Sequence, residues 1–306
     1  VRRRAHLKSM YFAMARADNL DTCFQEVVDD YDAGVLTGRR FEGSGLIVVG
    51  ESGAGKSFEI DHAFARWMEN APTLECGREK RFIQFALVGE TTWKALGLQI
   101  ANDLDYTMSP KLTEHVIWAR VREKMQQKGI WFLHIDECQH LFQTLGATET
   151  KKTLNAMKTL MKHREWPVAL VLSGIPELLD KVFFDPQLRE IMSPYVVEPF
   201  DPMSDDLHEI DSAFYHYAEA VGVNIDAVRD GDTLRRLCFG MQDLYGRAFR
   251  FMIRTLSNLP LGETEMTIDH LADEFAKKTG CMPGNNVFIR EDYRACEFTV
   301  PSLDSE

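Results

Sequence analysis

Hydrophobic positions follow two alternating patterns over the first two thirds of the chain. Short apolar runs, at Leu46-Ile47-Val48-Val49, Phe82–Val88, Ile130–Ile135 and Val168–Leu172, are the size of strands. Between them lie helical periodicities, over Phe58–Glu69, Trp93–Leu104, Leu112–Gln127 and Lys151–Arg164. Strand alternating with helix implies crossover connections and a parallel sheet covered on both faces. Ahead of this region Met10–Ala17 and Leu20–Tyr31 read as helices, with Gly34 ending the second. After Pro199-Phe200-Asp201-Pro202 the pattern becomes helical alone, over Asp205–Ala220, Thr233–Phe239, Leu244–Leu259 and Ile268–Lys278. The expected class is α/β: a three-layer domain with a parallel sheet, then a small all-helical domain. The predicted divisions are an N-terminal helical segment (1–40), the α/β domain (41–202), the helical domain (203–281) and a tail (282–306). The tail, with Pro283, Gly284 and Pro301 and no clear period, is expected to lie along a neighbour or to be partly ordered.

Composition narrows the class little: 45% hydrophobic and 27% charged residues are ordinary for a soluble globular protein. No apolar run approaches the ~18 residues of a membrane span, so no membrane partner is expected. A net charge of -12 argues against coating nucleic acid by bulk electrostatics and leaves room for a local basic patch. The six cysteines are dispersed with no C-x-x-C pair, which fits a reducing cytoplasm better than a disulfide scaffold or a zinc site.

The chemistry concentrates at Gly50-Glu51-Ser52-Gly53-Ala54-Gly55-Lys56-Ser57, a complete G-x-x-x-x-G-K-[ST] between a predicted strand and a predicted helix. Its glycines allow successive backbone N–H groups to wrap a phosphate at a helix N-terminus, where the helix dipole also favours anions. Lys56 is then placed to neutralise the β- and γ-phosphates of ATP, and the Ser57 hydroxyl to ligate Mg²⁺. In Trp131-Phe132-Leu133-His134-Ile135-Asp136-Glu137 an apolar strand ends in two carboxylates. Strand C-termini of a parallel sheet face the ligand crevice. Asp136 is the expected Mg²⁺ holder and Glu137 the base that orients the attacking water.

Other candidates are weaker. Ser173, after the strand Val168–Leu172, stands where a polar side chain can reach the γ-phosphate or the water, and is equally well read as a strand-end turn. Arg247 and Arg250, at the start of a helical stretch, can reach back toward the phosphates or serve as ordinary surface arginines. His134 reads as a hydrogen-bonded core residue and Cys138 as packing. Lys151, Lys152, Lys158 and Lys162 occupy one helical stretch. They follow a phosphate backbone on one reading and form a solvated helix face on the other.

Together these features resemble the AAA+ ATPases, and more narrowly the TniB/TnsC-type regulators of transposition, over residues 20–280. The strings that carry the resemblance are GESGAGKS at 50–57 (Walker A), IDECQHL at 135–141 (Walker B), TLNAMKTL at 153–160, LSGIPEL at 172–178 and DPQL at 185–188. The resemblance implies an ATPase that assembles with ATP into a ring or filament on duplex DNA, recruits a transposase and disassembles on hydrolysis. It places Lys56, Ser57, Asp136 and Glu137 in the nucleotide roles above and Ser173 at the sensor position. In that family an Arg-Phe pair follows the Gln-Leu pair two residues on and serves as a trans arginine finger. Here Arg189 directly follows Gln187-Leu188 and Ile191-Met192 fills the usual place. Because such a finger contributes several orders of magnitude in rate, the departure predicts slow hydrolysis. Two alternatives stand beside this reading: an AAA+ ATPase acting on protein partners only, of the secretion or assembly type, and a non-hydrolysing nucleotide-binding scaffold.

Overall fold

The computed structural model describes residues 1–69, 71–260 and 262–298. The end of the predicted tail, 299–306, lies outside the described residues. The chain divides into two compact units. The first is built from Arg16–Gly50 and Lys56–Val197, the second from Val1–Ala15, Glu51–Gly55 and the chain from Glu198 onward.

The first unit holds five parallel strands: β1 (Gly45–Val49), β2 (Phe82–Ala86), β3 (Phe132–Asp136), β4 (Ala169–Gly174) and β5 (Met192–Val196), in the order β2-β3-β4-β1-β5. The three inner strands are buried at every position, and the outer two only in part. The four predicted apolar runs all form strands, the outer β2 among them, and β5 is the strand that the pattern did not announce. β5 is Met-Ser-Pro-Tyr-Val, and Pro194 removes a ladder donor, which an edge strand tolerates. Register runs Leu46 beside Val171 and Ile47 beside Pro194, so β1 lies between β4 and β5.

One face of the sheet packs on an apolar core that includes Ile47, Leu133, Ile135, Leu170 and Leu172, with Leu96 and Ile100 from the helix Trp93–Asp103, Ile117 and Val121 from Glu114–Gln127, and Leu154 and Met157 from Ala147–Met161. On β3 the alternate positions meet aromatic rings: Phe132 lies 5.3 Å from Phe24 and 5.4 Å from Phe64. Those rings belong to the helices Ala15–Leu36 and Lys56–Glu69. A strand puts successive side chains on opposite faces, so a fully buried β3 needs both layers.

Two helical expectations change. Gly34 does not end the second helix, which runs on to Leu36; a Cβ there would come within 2.3 Å of the Phe41 ring, so the glycine makes room for packing. Met10–Ala17 is not one helix. Arg2–Ser9 is helical, Met10 is extended, and the next helix starts at Ala15. Leu7 and Met14 are buried in the second unit's core, and the Ala15 amide donates to Glu209 at 2.8 Å.

That second unit is helical: Asp206–Ala220, Gly231–Gly240, Tyr245–Asn258 and Ile268–Thr279 enclose Phe214, Leu237, Met252, Leu271 and Phe275. The described part of the tail packs into the same core through Val287, Phe288 and Tyr293. Arg236 holds it there by donating to the carbonyls of Val287 (2.8 Å) and Arg290 (2.6 Å). Among the described residues no helix is long and apolar enough to cross a membrane.

Candidate active site

The predicted phosphate loop has the backbone its glycines foreshadow. Gly53 and Gly55 sit at φ 90° and 95°, a region closed to most side chains, and the Ala54 amide closes a turn onto the Glu51 carbonyl at 3.0 Å. Glu51 and Ser52 are exposed, and Ala54 is buried. The loop leaves β1 through Gly50, whose amide donates to the Gly174 carbonyl at the end of β4. Lys56 begins the next helix, is buried, and donates from Nζ to the Gly50 carbonyl at 2.8 Å.

Asp136, at the end of β3, is the hub of the polar cluster in the α/β unit. The Ser57 hydroxyl donates to its Oδ2 at 2.6 Å. The Ser173 hydroxyl donates to Oδ1 at 2.5 Å, and the Glu137 amide donates to the same oxygen at 2.9 Å. Burial raises the carboxyl's pKa, but the hydrogen bonds from Ser173 and Ser57 outweigh it and leave the group below its usual range. Asp136 is therefore a carboxylate with three donors converging on it. Behind Ser173 stands His134, whose Nε2 is 2.8 Å from the serine Oγ. Burial holds that imidazole neutral, its pKa pushed down to about 4.

Glu137 takes a left-handed backbone at φ 52° as the chain turns into the short 3₁₀ turn Cys138–Leu141. The Gln139 amide donates to its carboxylate, and the Gln139 Oε1 accepts from the Ile175 amide at 3.4 Å, tying the acid to the turn after β4. Cys138 is fully buried and its thiol is pushed well above the ordinary range, which suits packing and not nucleophilic work.

Serine hydroxyl plus a single carboxylate is a hard oxygen donor set. No group of three or more His, Cys, Asp or Glu among the described residues is arranged to cage a metal. A cation held by Ser57 and Asp136 would draw its remaining ligands from phosphate and water, the habit of Mg²⁺. The residues present fit that ion.

The helical unit supplies a second set of contacts on the loop tip. A Cβ on Gly246 would meet the Gly53 carbonyl at 2.6 Å and the Gly55 amide nitrogen at 2.7 Å, so the start of the helix Tyr245–Asn258 lies hard against the loop. Arg247 sits beside Gly53, its Nε 2.7 Å from where a Cβ would stand. Arg250 turns back to the Gly246 carbonyl of its own helix at 3.0 Å.

The remaining candidates are not brought to this cluster. Arg189 is exposed on the helix Pro186–Ile191, donates to the Phe183 carbonyl at 2.7 Å and rests 5.8 Å from the Phe183 ring. The lysine stripe is divided. Lys151 and Lys152 are exposed, but Lys158 pairs with Asp185 at 2.6 Å and Lys162 with Glu42 at 2.6 Å. With their charges matched inside the unit, Lys158 and Lys162 are poor contacts for a phosphate backbone, and the part of the stripe left well exposed is Lys151 and Lys152. The reading from sequence missed Gln139, Gly246 and Asp185. Gln139 stands two residues after Glu137 in a string already singled out, which was the signal available.

Comparison with known proteins agrees with this geometry. Residues 39–182 match the family model described as an AAA domain. Among solved structures the chain is similar to Cdc6p from Pyrobaculum aerophilum (13% identity, 88% of this chain and 69% of that chain covered, TM-score 0.60). It is also similar to the Aeropyrum pernix ORC1 protein in complex with DNA (15%, 90% and 69%, TM-score 0.63). The Aeropyrum pernix ORC2 protein in its ADPNP–ADP complexes is a third (15%, 90% and 72%, TM-score 0.58). No curated protein matches the sequence. Residues 39–182 are thus an AAA-type P-loop ATPase domain, and the fold is that of the AAA+ proteins.

Proposed function

We propose that this AAA-type domain binds ATP at Gly50–Ser57 and hydrolyses it slowly, and that the cycle switches a cytoplasmic DNA-binding regulator of transposition. The observation that carries the nucleotide reading is the meeting of Ser57 with Asp136 at 2.6 Å, one residue before Glu137. Lys56 and the amides of residues 51–55 bind the phosphates, and Arg247 lines the loop at Gly53. Ser57 and Asp136 hold Mg²⁺, which when bound neutralises charge developing on the phosphates. Glu137 accepts a proton from the attacking water, and Gln139 fixes where that carboxylate lies. With Arg189 displaced from the finger position, turnover below about 1 s⁻¹ is expected, slow beside ordinary enzymes.

The transposition reading rests on the strings shared with TniB/TnsC-type proteins, and the DNA partner gains support from the ORC1 structure solved with DNA. ATP would favour self-assembly on duplex DNA and capture of a transposase, and hydrolysis would release both. A second reading, an ATPase acting on protein partners alone, is favoured by the net charge of -12 and by the internal pairing of Lys158 and Lys162. Duplex binding at moderate salt, with and without Mg·ATP or a slowly hydrolysed analogue, separates the two. Cooperative binding that requires nucleotide is expected. Its absence in both states hands the lead to the protein-partner reading.

A further inference from the structure

Strand β3 carries a histidine where its neighbours are apolar. His134 is 0% exposed and shares a face of the strand with Phe132 and Asp136, since alternate residues point the same way. The Phe64 ring lies 5.7 Å from the imidazole, and Gln84 and Val171 are its register neighbours on β2 and β4. A polar group in such a place is costly unless hydrogen-bonded. Nε2 has its partner in Ser173 at 2.8 Å, while Nδ1 is buried with no partner among the described residues.

That asymmetry fixes the tautomer. A proton on Nδ1 would bury an N–H with no acceptor, and would make Nε2 an acceptor competing for the Ser173 proton. A proton on Nε2 leaves only a bare lone pair unsatisfied, the smaller penalty. The Ser173 hydroxyl then accepts from His134 and must point its own proton elsewhere; Asp136 Oδ1 stands 2.5 Å away. The chain of donors therefore runs one way, from His134 through Ser173 to Asp136.

We propose that His134 is a positioning residue for the metal-holding carboxylate. By donating Nε2–H to Ser173 it commits the serine hydroxyl to Asp136 Oδ1, so that Oδ2, the oxygen beside Ser57, is presented for the cation. This rests on the nucleotide-site reading above, and it reassigns Ser173 from a sensor of the γ-phosphate to a brace for Asp136. Mutating such outer-shell partners of a metal ligand typically costs about 10- to 100-fold in metal affinity.

The test titrates Mg²⁺ against binding of a fluorescent ATP analogue to the full chain, with a parallel measurement in EDTA. His134→Leu should raise the Mg²⁺ midpoint by about tenfold while affinity in EDTA is unchanged. His134→Gln, which returns an N–H near the Nε2 position, should recover most of the shift. Ser173→Ala should give the same shift as His134→Leu, and the double variant should add nothing, as expected for members of one chain. A folded His134→Leu protein with the wild-type midpoint overturns the proposal, as do additive effects in the double variant or a Gln variant no better than Leu. If the Leu variant fails to fold, Ser173→Ala with an unshifted midpoint overturns it instead. Wild-type binding that ignores Mg²⁺ would overturn the reading of Ser57 and Asp136 as Mg²⁺ holders along with the inference, and no binding at all would overturn the nucleotide-site reading, so both are distinguishable from failure of the inference alone.

Discussion

At the C-terminal end of β3, Ser57, Ser173 and His134 are linked around one carboxylate, Asp136. On the helix Ala147–Met161 and just beyond it, Lys158 and Lys162 are linked to Asp185 and Glu42. As strings both looked functional: an acidic strand end and a basic helical stripe. Their electrostatics differ. At the strand end every partner of Asp136 is an uncharged donor, so the negative charge survives and is aimed. At the helix each of the two ammonium groups meets a carboxylate, and the positive charge is spent inside the fold. A charged side chain is more available to a ligand where its partners in the fold are neutral, and that property belongs to the neighbours more than to the residue.

The comparison is broken most severely at the strand end. Glu137→Gln keeps the size of the side chain and its reach to Gln139 but removes the carboxylate proposed as the base. A general base contributes about 10²- to 10⁴-fold, so phosphate release should fall by that factor from the wild-type rate. Analogue binding should be retained. Hydrolysis at the wild-type rate in this variant would show that Glu137 is not the base, and wild-type turnover well above 1 s⁻¹ would refute the slow-switch reading.

The helix predicts a loss of stability in place of a loss of chemistry. Lys158 and Asp185 are 14% and 9% exposed, and Asp185 also caps the helix Pro186–Ile191 by accepting from the amides of Gln187 (2.9 Å) and Leu188 (3.2 Å). Burial pushes the Asp185 carboxyl up, but the hydrogen bonds from Lys158 and those two amides hold it below its usual value. Its contribution is therefore present above the unfolded carboxyl pKa of about 4 and is lost as pH falls through the lower folded value. Lys158→Ala should cost about 3 kcal/mol at neutral pH, because it strands a buried charge, and should move acid unfolding to higher pH. Circular dichroism melts at pH 7 and an acid titration measure both. An unchanged Tm would mean that Lys158 is free for other work after all.

Much of this was legible in the chain, for identifiable reasons. The inner strands β1, β3 and β4 are buried on both faces, so each reads as a mainly apolar run even with His134 inside β3, and Gly50–Ser57 is a local motif whose spacing is its geometry. β5 was invisible because an edge strand with Ser193 and Pro194 lacks the apolar signature. Asp185 was visible only as part of a string, since its pairing with Lys158 spans β4 and the helix Glu177–Phe183, which periodicity does not connect. Gly246 looked like an ordinary residue near a helix start; its need to be glycine comes from the loop it touches, far away in sequence. His134 was correctly read as a bonded core residue, but the direction of its hydrogen bond depends on Ser173 and on an empty Nδ1, neither of which a single sequence displays.

The smallest effect belongs to the two lysines that the fold leaves unspent. Lys151 is exposed, and Lys152 approaches only Glu149, at 3.9 Å with both side chains more than half exposed, a contact of little energetic weight. Replacing both with alanine should change stability by no more than about 0.5 kcal/mol. If the ATP-bound protein contacts duplex DNA through this helix, each lysine releases about one counterion, so the slope of log affinity against log salt should flatten by nearly two. Nucleotide affinity should not move. The measurement is a salt series of duplex binding with Mg·ATP for wild type and the double variant. An unaltered slope would remove the last free charges of this helix from the DNA contact. It would favour the protein-partner reading, in which this helix makes no contact with DNA.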